Sequence, residues 1–363
     1  MKILYVGAFD KSSSADFSRS LGLLKLHNKI TCFDFRYKRN SSYSLFKSHN
    51  IKNLNGVTQN SLNKARNIIR NIIIKINSKI NNIKKRITYF KIKRIFPEYL
   101  LPKNWLIGRQ LINEVKNNKY DLVFFAKINS LNYRIIPKIN RYAKTWYYFM
   151  DPTQTAIKIS ADKYASRTTF SNATFSDISD YFNKNGANSY FITEGFDEKL
   201  FYPKSGNIDK RIDIVFAGSK SPKREKYIEF LTKNGFSVEC YGFGWSFKPL
   251  YLDELAEKYR QSKIILNFSR DRKGFSDRVF LSMGSGSFLL SEYCNDIEKC
   301  FEKKKHLDWF FNRKELLILL KYYLENPVIR EKIAKEGSEY VHNNFTWVNI
   351  MKKIMIIVKT TNI

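Results

Sequence analysis

The stretch DIVFAGSKSPKREKYIEFL, residues 213–231, combines an apolar strand, a small-residue turn and the start of a helix. The turn is Gly218-Ser219, and the helix that follows carries Lys223 and Arg224 near its start. Backbone N–H groups and the helix dipole attract anions at such a junction, and basic side chains add charge-assisted hydrogen bonds. The stretch therefore predicts a phosphate-binding turn, with an ordinary turn bearing solvated lysines as the alternative.

A second basic cluster follows the apolar strand predicted at 263–268. Residues 270–278 contain four basic residues and only two acidic ones. The basic residues are Arg270, Arg272, Lys273 and Arg278, and the acidic ones are Asp271 and Asp277. The loop lies where a parallel strand ends, and ligands of doubly wound folds bind at the carboxyl ends of strands. Two basic turns, each after a strand, favour an anion site over a solvated charge run.

Apolar strands alternate with amphipathic helices along the whole chain. Strands are predicted at 3–7, 30–35, 120–125, 145–150, 173–175 and 189–192, and again at 212–217, 237–241, 263–268 and 287–290. A polar break with Pro and Gly residues separates the two series at about 195–210. We therefore expect two doubly wound α/β domains, 1–200 and 205–345, and a C-terminal helix within 346–363 that packs back on the first.

Composition limits the classes of protein that this chain can be. Its 363 residues suit two domains, and 43% apolar residues exclude global disorder. Lys and Arg total 64 against 33 Asp and Glu, a net charge of +31. Part of this charge follows a general Lys, Ile and Asn bias, and the rest favours a polyanionic partner: a phosphate ligand, an anionic membrane or nucleic acid.

Cysteine usage and hydropathy point to a cytoplasmic protein. The four cysteines form no C-x-x-C pair and have no histidine at metal-ligand spacing, which is typical of reduced structural thiols. The N-terminus shows no signal-peptide pattern. No apolar run reaches about 18 residues, the length that spans a bilayer, so membrane contact is expected only at the surface.

A basic segment interrupts the first half. Between Asp34 and Glu98 there are sixteen Lys or Arg residues and no acidic residue. Seven apolar residues within it follow a strict heptad: Ile69, Ile73, Ile76, Ile80, Ile83, Ile87 and Phe90. A basic helical insertion at about 60–100 is predicted, either packed on its own domain, or exposed to anionic lipid or a partner helix, or folded as a hairpin that turns at Asn81-Asn82.

The order and spacing of these pieces resemble GT-B glycosyltransferases, particularly the group 1, spore-maturation-protein-like branch. The likeness spans nearly the whole chain except 40–100. Its carriers in the second half are DIVFAGSKSPKREKYIEFL, VECYGFGW at 238–245, IILNFSRDRKGFSDRVFLSMGSGSFLLSEY at 264–293, and the tail at 314–347. The first half matches through MKILYVGAF at 1–9, WYYFMDP at 146–152 and YFITEGFDEKLFYP at 190–203. The resemblance implies two Rossmann-like domains that face a central crevice.

The resemblance also implies roles for residues at matching positions. Donor-binding residues would be Gly218, Ser219, Lys223, Arg224, Tyr241, Gly242, Asn267, Ser269, Arg278, Ser285, Gly286 and Glu292. The diphosphate would lie between Gly218-Ser219 and Arg278, with Tyr241-Gly242 bordering the nucleoside. Gly7 and Ala8 would face the acceptor, and Asp10 and Asp151 are candidate catalytic bases. For either aspartate alone, a capping or turn role is the favoured interpretation. Without a D-x-D triplet, neither a metal nor a cofactor is expected.

Two positions depart from the family pattern. Many group 1 relatives carry Glu at the position of Leu281 and another acid at that of Lys273, where a carboxylate grips the donor ribose. Glu292 or a main-chain group would have to replace it, or donor choice differs, or activity is lost. Because the basic phosphate side is intact, altered donor contacts are the favoured interpretation.

The expected function is a metal-independent bacterial glycosyltransferase of surface polysaccharide synthesis. It would take a nucleotide sugar and a glycan or lipid-linked acceptor in the cytoplasm, at the inner face of the plasma membrane. The alternative is a non-catalytic nucleic-acid-binding protein or a pseudo-glycosyltransferase scaffold. Nucleic acid is the less favoured partner because no nucleic-acid-binding module is present.

Overall fold

The computed structural model describes residues 1–9, 15–35, 52–53, 102–126, 128–204, 210–269 and 272–361. The predicted basic insertion at 60–100 lies outside these residues, and so does Asp10. Within them the chain divides into two compact units, Met1–Ala173 with Ile178–Phe191 and Val358–Ile363, and Thr174–Asp177 with Ile192–Ile357.

The described part of the first unit is a parallel sheet with helical connections. Its elements are β1 (Lys2–Gly7), α1 (Ala15–Lys25), β2 (Lys29–Asp34), β3 (Lys52–Asn53), α2 (Pro102–Asn118), β4 (Leu122–Ala126), a 3₁₀ turn (Tyr133–Ile135), α3 (Ile136–Ile139), β5 (Lys144–Phe149), α4 (Thr153–Lys158), α5 (Ala161–Ala165), β6 (Phe170–Ala173), α6 (Ser176–Lys184) and β7 (Ser189–Phe191). The strand order is β3-β2-β1-β4-β5-β6-β7, so the order reverses between β1 and β4.

The core of this unit follows from its central strands. Every residue of Leu122–Ala126 is buried, as expected of a parallel strand covered on both faces. Tyr5 of β1 stacks on Phe124 with ring centroids 5.0 Å apart, and Phe124 lies 6.0 Å from Tyr148 of β5. Aromatic packing of this kind aligns the ends of β1, β4 and β5.

The second unit is a smaller parallel sheet. Its elements are β8 (Ile212–Ala217), α7 (Pro222–Lys233), β9 (Glu239–Tyr241), α8 (Leu252–Arg260), β10 (Ser262–Asn267), α9 (Arg278–Gly284), β11 (Phe288–Glu292), α10 (Ile297–Cys300), β12 (Asp308–Phe310), α11 (Arg313–Glu325), α12 (Pro327–Asn344) and α13 (Trp347–Thr360). The strand order is β12-β11-β10-β8-β9. The order reverses between β8 and β10, which makes the carboxyl ends of these strands the favoured place for a ligand.

The division between the units falls earlier than the polar break. The first sheet ends with Phe191, and the following residues already pack in the second unit. Phe196 exchanges backbone hydrogen bonds with Phe345 and Trp347 at 3.2 and 3.1 Å. The last helix is divided between the units: Trp347–Ile357 belong to the second, and the residues from Val358 onward belong to the first.

Two further expectations concern cysteines and membranes. Cys32, Cys240, Cys294 and Cys300 are free thiols, and burial raises the pKa of Cys240 to about 12. No helix in the described ranges has the length and apolarity needed to cross a bilayer.

Candidate functional site

The candidate site lies at the carboxyl edge of the second sheet, where β8 and β10 end. β8 ends at Ala217, directly before Gly218, and α7 begins at Pro222 with Ser221 as its N-cap. The Ser221 side chain accepts the Arg224 N–H at 3.4 Å. A strand, a tight turn and a capped helix therefore form the junction that the sequence predicts.

Gly218 and Gly242 bring two strand ends into direct backbone contact. The Gly218 N–H donates to Tyr241 O at 2.7 Å. A Cβ on Gly242 would lie 2.3 Å from the Gly218 carbonyl oxygen and 3.1 Å from the Ser219 nitrogen. Only glycine fits at 242, where φ is +148°. The turn after β8 is thus fixed against the end of β9 by main-chain atoms.

Two guanidinium groups converge on Gly218. A Cβ built on this residue would lie 3.2 Å from Arg278 Nη1 and 3.6 Å from Arg224 Nη1. Arg224 donates to Ser219 O at 2.6 Å and lies over the Phe216 ring, 5.2 Å from its centroid. The positive charge is therefore concentrated directly above an exposed turn, as an anion site requires.

A buried side-chain amide orients Arg278. Its Nε donates to Asn267 Oδ1 at 3.4 Å, and the Asn267 amide donates to Ser291 Oγ at 2.9 Å. Asn267 and Ser291 are paired in register on β10 and β11 and are buried. Within the described residues no carboxylate lies within ion-pair distance of Arg278. Its charge is available for a ligand.

Glu292 is fully buried at the end of β11. Its Oε2 lies 2.6 Å from Lys223 Nζ, and its Oε1 lies 3.6 Å from Arg272 Nε. Neither oxygen forms a well-directed hydrogen bond with any described residue, so charge, rather than hydrogen-bond geometry, holds the carboxylate. Burial raises the pKa of the nearby Tyr227 hydroxyl, and the charge of Glu292 raises it further.

The loop after β10 is tied to the same cluster. Lys223 Nζ donates to Ser269 O at 2.9 Å. The buried Ser269 hydroxyl accepts the Arg272 N–H at 2.9 Å and donates to Gly274 O at 3.2 Å. Lys223 therefore joins α7, the loop and β11, and its ammonium is already engaged by two protein oxygens.

The structure does not bring every predicted donor residue to this edge. Ser285 and Gly286 come directly before β11, so they lie at the amino ends of the parallel strands, opposite Gly218 and Arg278. The Ser285 hydroxyl donates to Leu281 O at 2.8 Å, as part of the end of α9. The prediction that Ser285 and Gly286 bind the donor beside Gly218 and Arg278 is thus corrected, because α9 carries the chain to the other edge of the sheet.

The departures from the family pattern have their own surroundings. Lys273 pairs with Asp177 at 2.9 Å, within the second unit. Leu281 is half-buried on α9, where its carbonyl accepts the Ser285 N–H at 3.2 Å. Neither position supplies a carboxylate, and the buried Glu292 side chain is directed at Lys223 and Arg272.

In the first unit, the sequence reasoning missed a buried ion pair at the end of β1. Asp16 accepts hydrogen bonds from Ala8 N at 2.7 Å, the Tyr5 hydroxyl at 3.0 Å and Arg19 Nη1 at 2.6 Å. A Cβ on Gly7 would lie 3.0 Å from Asp16 Oδ2. The Gly7-Ala8 turn is therefore held by a carboxylate, for which no motif in the sequence gave a signal.

Asp151 follows β5 and is half-buried at the carboxyl edge of the first sheet. Asp10 lies outside the described residues. In the described part of the chain, no group of three or more His, Cys, Asp or Glu side chains is arranged to hold a metal ion.

Comparisons with known proteins agree with this architecture. Residues 223–356 match a family model described as glycosyl transferase-like. Among solved structures, HepE from Anabaena in complex with UDP and glucose has a TM-score of 0.65 at 13% identity, covering 99% of this chain and 100% of its own. The chain has the GT-B fold.

Two other GT-B structures are similar over their full length. TarM has a TM-score of 0.66 at 12% identity, covering 99% of both chains. An alpha-glucosyltransferase in complex with UDP and a 13-mer DNA containing an HMU base has a TM-score of 0.63 at 10% identity, covering 99% of this chain and 100% of its own. No sequence among the curated proteins matches this chain.

These findings confirm the α/β fold class and the resemblance to GT-B glycosyltransferases. The spore-maturation-like branch stays a prediction.

Proposed function

We propose that the protein is a glycosyltransferase that moves a sugar from a nucleotide-sugar donor to a glycan or lipid-linked glycan acceptor in surface polysaccharide synthesis. The observation that carries the proposal is the convergence of Arg278 and Arg224 on the Gly218 turn, 3.2 and 3.6 Å from the position of a Cβ. Similar structures that contain UDP, those of HepE and the alpha-glucosyltransferase, support a nucleotide-sugar donor.

In this reaction the residues at the carboxyl edge of the second sheet would stabilise the leaving diphosphate. Negative charge grows on the diphosphate as the bond between the anomeric carbon of the sugar and the diphosphate oxygen breaks and the acceptor oxygen bonds to that carbon. Fixed cations and N–H groups favour that state. Arg278, oriented by Asn267, would contact the diphosphate directly, and Arg224 would add a second guanidinium. These groups supply the electrophilic role without a metal, which is the proposed mode of action.

Lys223 and Glu292 would support this site from behind. Lys223 is bound to Ser269 O and to Glu292, so we assign it to ordering the loop that leads to Arg278. Glu292 carries no exposed surface, and its predicted contact with the donor would require it to leave its two cations. Its proposed role is therefore to fix Lys223 and Arg272.

The acceptor side is proposed to lie in the first unit. The turn at Gly7-Ala8 is braced by Asp16, and Asp151 is the described candidate for a base that removes the acceptor proton. The net charge of +31 favours an anionic acceptor or membrane surface, because each Lys or Arg near an anionic membrane contributes about 1 kcal/mol. We therefore propose action at the inner face of the plasma membrane.

Arg278→Ala tests the donor site. A hydrogen bond to a charged group is worth about 1.5–3 kcal/mol, so the affinity for the best-bound nucleoside diphosphate among UDP, GDP and dTDP should fall by roughly 10- to 100-fold. Isothermal titration calorimetry measures this, and a radiolabelled donor measures hydrolysis. Arg211→Ala, which removes an arginine directly before β8 at the opposite edge, is the control. Equal binding by the two variants would refute the assignment.

The charge of the chain also favours the alternative function, nucleic-acid binding. Retention on anionic liposomes and on a DNA column at increasing salt distinguishes the two, because phosphate contacts on DNA give a steep loss of affinity with salt. Strong retention on DNA with no nucleotide-sugar turnover would favour the non-catalytic alternative.

A further inference from the structure

A loop rich in exposed aromatic side chains borders the candidate phosphate turn. Residues 242–251 connect β9 to α8, and we call them the aromatic loop. Phe243 is 68% exposed, Phe247 49% and Tyr251 62%. Isolated exposed apolar residues are ordinary, but three large rings in nine residues at the ligand-binding edge of a sheet require a reason.

The aromatic loop is fastened to the phosphate turn by hydrogen bonds. Lys220 N–H donates to Phe243 O at 2.8 Å, and the Trp245 indole donates to Gly218 O at 2.9 Å. A Cβ on Gly244 would lie 2.9 Å from Lys220 Cβ. The position of Phe243 is therefore fixed relative to the turn on which Arg278 and Arg224 converge.

Phe247 forms part of a preformed stack. Its ring lies on that of Tyr241, with centroids 5.0 Å apart and 25° between the planes. Tyr241 is in turn buried, hydrogen-bonded to Glu239 and covered by Lys258, whose Nζ is 5.2 Å from the ring centroid. Phe247 is 49% exposed although Tyr241 covers one side of its ring, so part of its surface is accessible to a further ring.

The neighbouring charges select the occupant. A nucleoside diphosphate has an anionic end and, one ribose away, a flat aromatic base. The converging guanidiniums suit the first and the exposed rings suit the second, since bases stack on aromatic side chains whatever their identity. A purely apolar partner would leave the adjoining cations without a counterpart.

We propose that Phe243 and Phe247 form the surface on which the base of the nucleotide donor stacks. The inference rests on the proposed donor site and deepens it, because it assigns a position to the base of the nucleotide. Stacking of this kind strengthens binding without discriminating strongly among bases, so the pyrophosphate contacts would supply most of the orientation.

The test compares ligands with and without a base. The best-bound nucleoside diphosphate of UDP, GDP and dTDP and inorganic pyrophosphate are titrated into the full chain carrying Phe243→Ala or Phe247→Ala. Each variant should bind the nucleotide roughly 5- to 100-fold more weakly and bind pyrophosphate within about twofold of the unchanged protein. Tyr322→Ala, which removes a 43% exposed aromatic side chain on α11 of the same unit, should change neither.

Further variants separate the outcomes. Phe247→Leu keeps apolar bulk but lacks the π face, and it should lose nucleotide affinity like Phe247→Ala. Unchanged nucleotide affinity in the phenylalanine variants overturns the stacking surface, while a loss in Arg278→Ala would leave the proposed donor site standing. An equal loss of pyrophosphate binding also overturns it, because the rings would then only support the turn. A dimer that dissociates in the phenylalanine variants at unchanged affinity would make a second copy the occupant and overturn it too.

Discussion

Gly242→Ala should disable the candidate site through main-chain geometry alone. The new Cβ would lie 2.3 Å from the Gly218 carbonyl oxygen, whereas Cβ contacts essentially never fall below 3.0 Å. The difference, 3.0 − 2.3, means that the two strand ends must separate by about 0.7 Å. This shift would strain the hydrogen bond from Gly218 N–H to Tyr241 O, now 2.7 Å, worth about 0.5–1.5 kcal/mol net.

The expected result combines a moderate loss of stability with a large loss of binding. Positive φ costs a residue with a side chain about 1–2 kcal/mol, which corresponds to a fall in Tm of roughly 2–8 °C for a unit of this size. Displacement of binding groups by about 1 Å can cost about 100-fold in activity. Calorimetric unfolding and nucleoside diphosphate titration measure the two effects.

Gly235→Ala is the matched control for backbone strain. Gly235 also has positive φ, +84°, but a Cβ there would meet no atom within 4 Å. Gly235→Ala should lose only the stability that positive φ costs, whereas Gly242→Ala should also lose that of the strained Gly218–Tyr241 hydrogen bond. Only Gly242→Ala should lose nucleotide affinity by tenfold or more. If the two bind nucleotide alike, the contact between the strand ends does not shape the site.

Two other predictions concern buried titratable groups. Glu292→Gln should lower the free energy of unfolding by about 1–3 kcal/mol in urea titrations without weakening pyrophosphate binding, because Lys223 and Arg272 keep their charge. A tenfold weaker affinity would mean that the phosphate site needs the carboxylate charge to hold these two cations in place. Burial lowers the pKa of His306, and its Nδ1 accepts the Glu302 N–H at 3.2 Å. As the pH falls, the imidazole of the unfolded chain, with a pKa of about 6.5, takes up its proton before the buried imidazole of the folded chain does. The contribution of His306 to the free energy of unfolding is therefore fully present above that pH and is lost as the pH drops below it. His306→Gln should flatten the unfolding free energy between about pH 7 and 5.5, and an unchanged slope would contradict this.

The sequence was sufficient to predict a helix or strand where the local signals for its start and end agree. The helix predicted after Gly218-Ser219 is observed at Pro222–Lys233, because Ser221 and Pro222 mark its start and Gly235 follows its end. The strand at 212–217 also has its predicted bounds, because the apolar run at 214–217 ends at a glycine. These two elements place the Gly218 turn, and with it the centre of the candidate site.

Other features depend on contacts that the sequence does not encode locally. β12, Asp308–Phe310, has three residues and is too short for a periodic pattern. Asp16 is an isolated acid in an amphipathic helix, and only the fold brings it to Ala8 and Arg19. Nearness along the chain also misleads, since the seven residues of α9 separate Gly286 from Arg278 by about 10 Å of helix.

One contact of the first unit can form only late in synthesis. Lys144 Nζ donates to the carbonyls of Val358 and Thr361 at 3.1 and 2.8 Å, so β5 is joined to residues more than 200 positions further along. At about 5–20 residues per second on the ribosome, roughly 10 to 40 s pass between the translation of Lys144 and that of Val358. A nascent chain would therefore contain all seven described strands of this sheet, the last of which ends at Phe191, long before this ammonium group meets its two carbonyl acceptors.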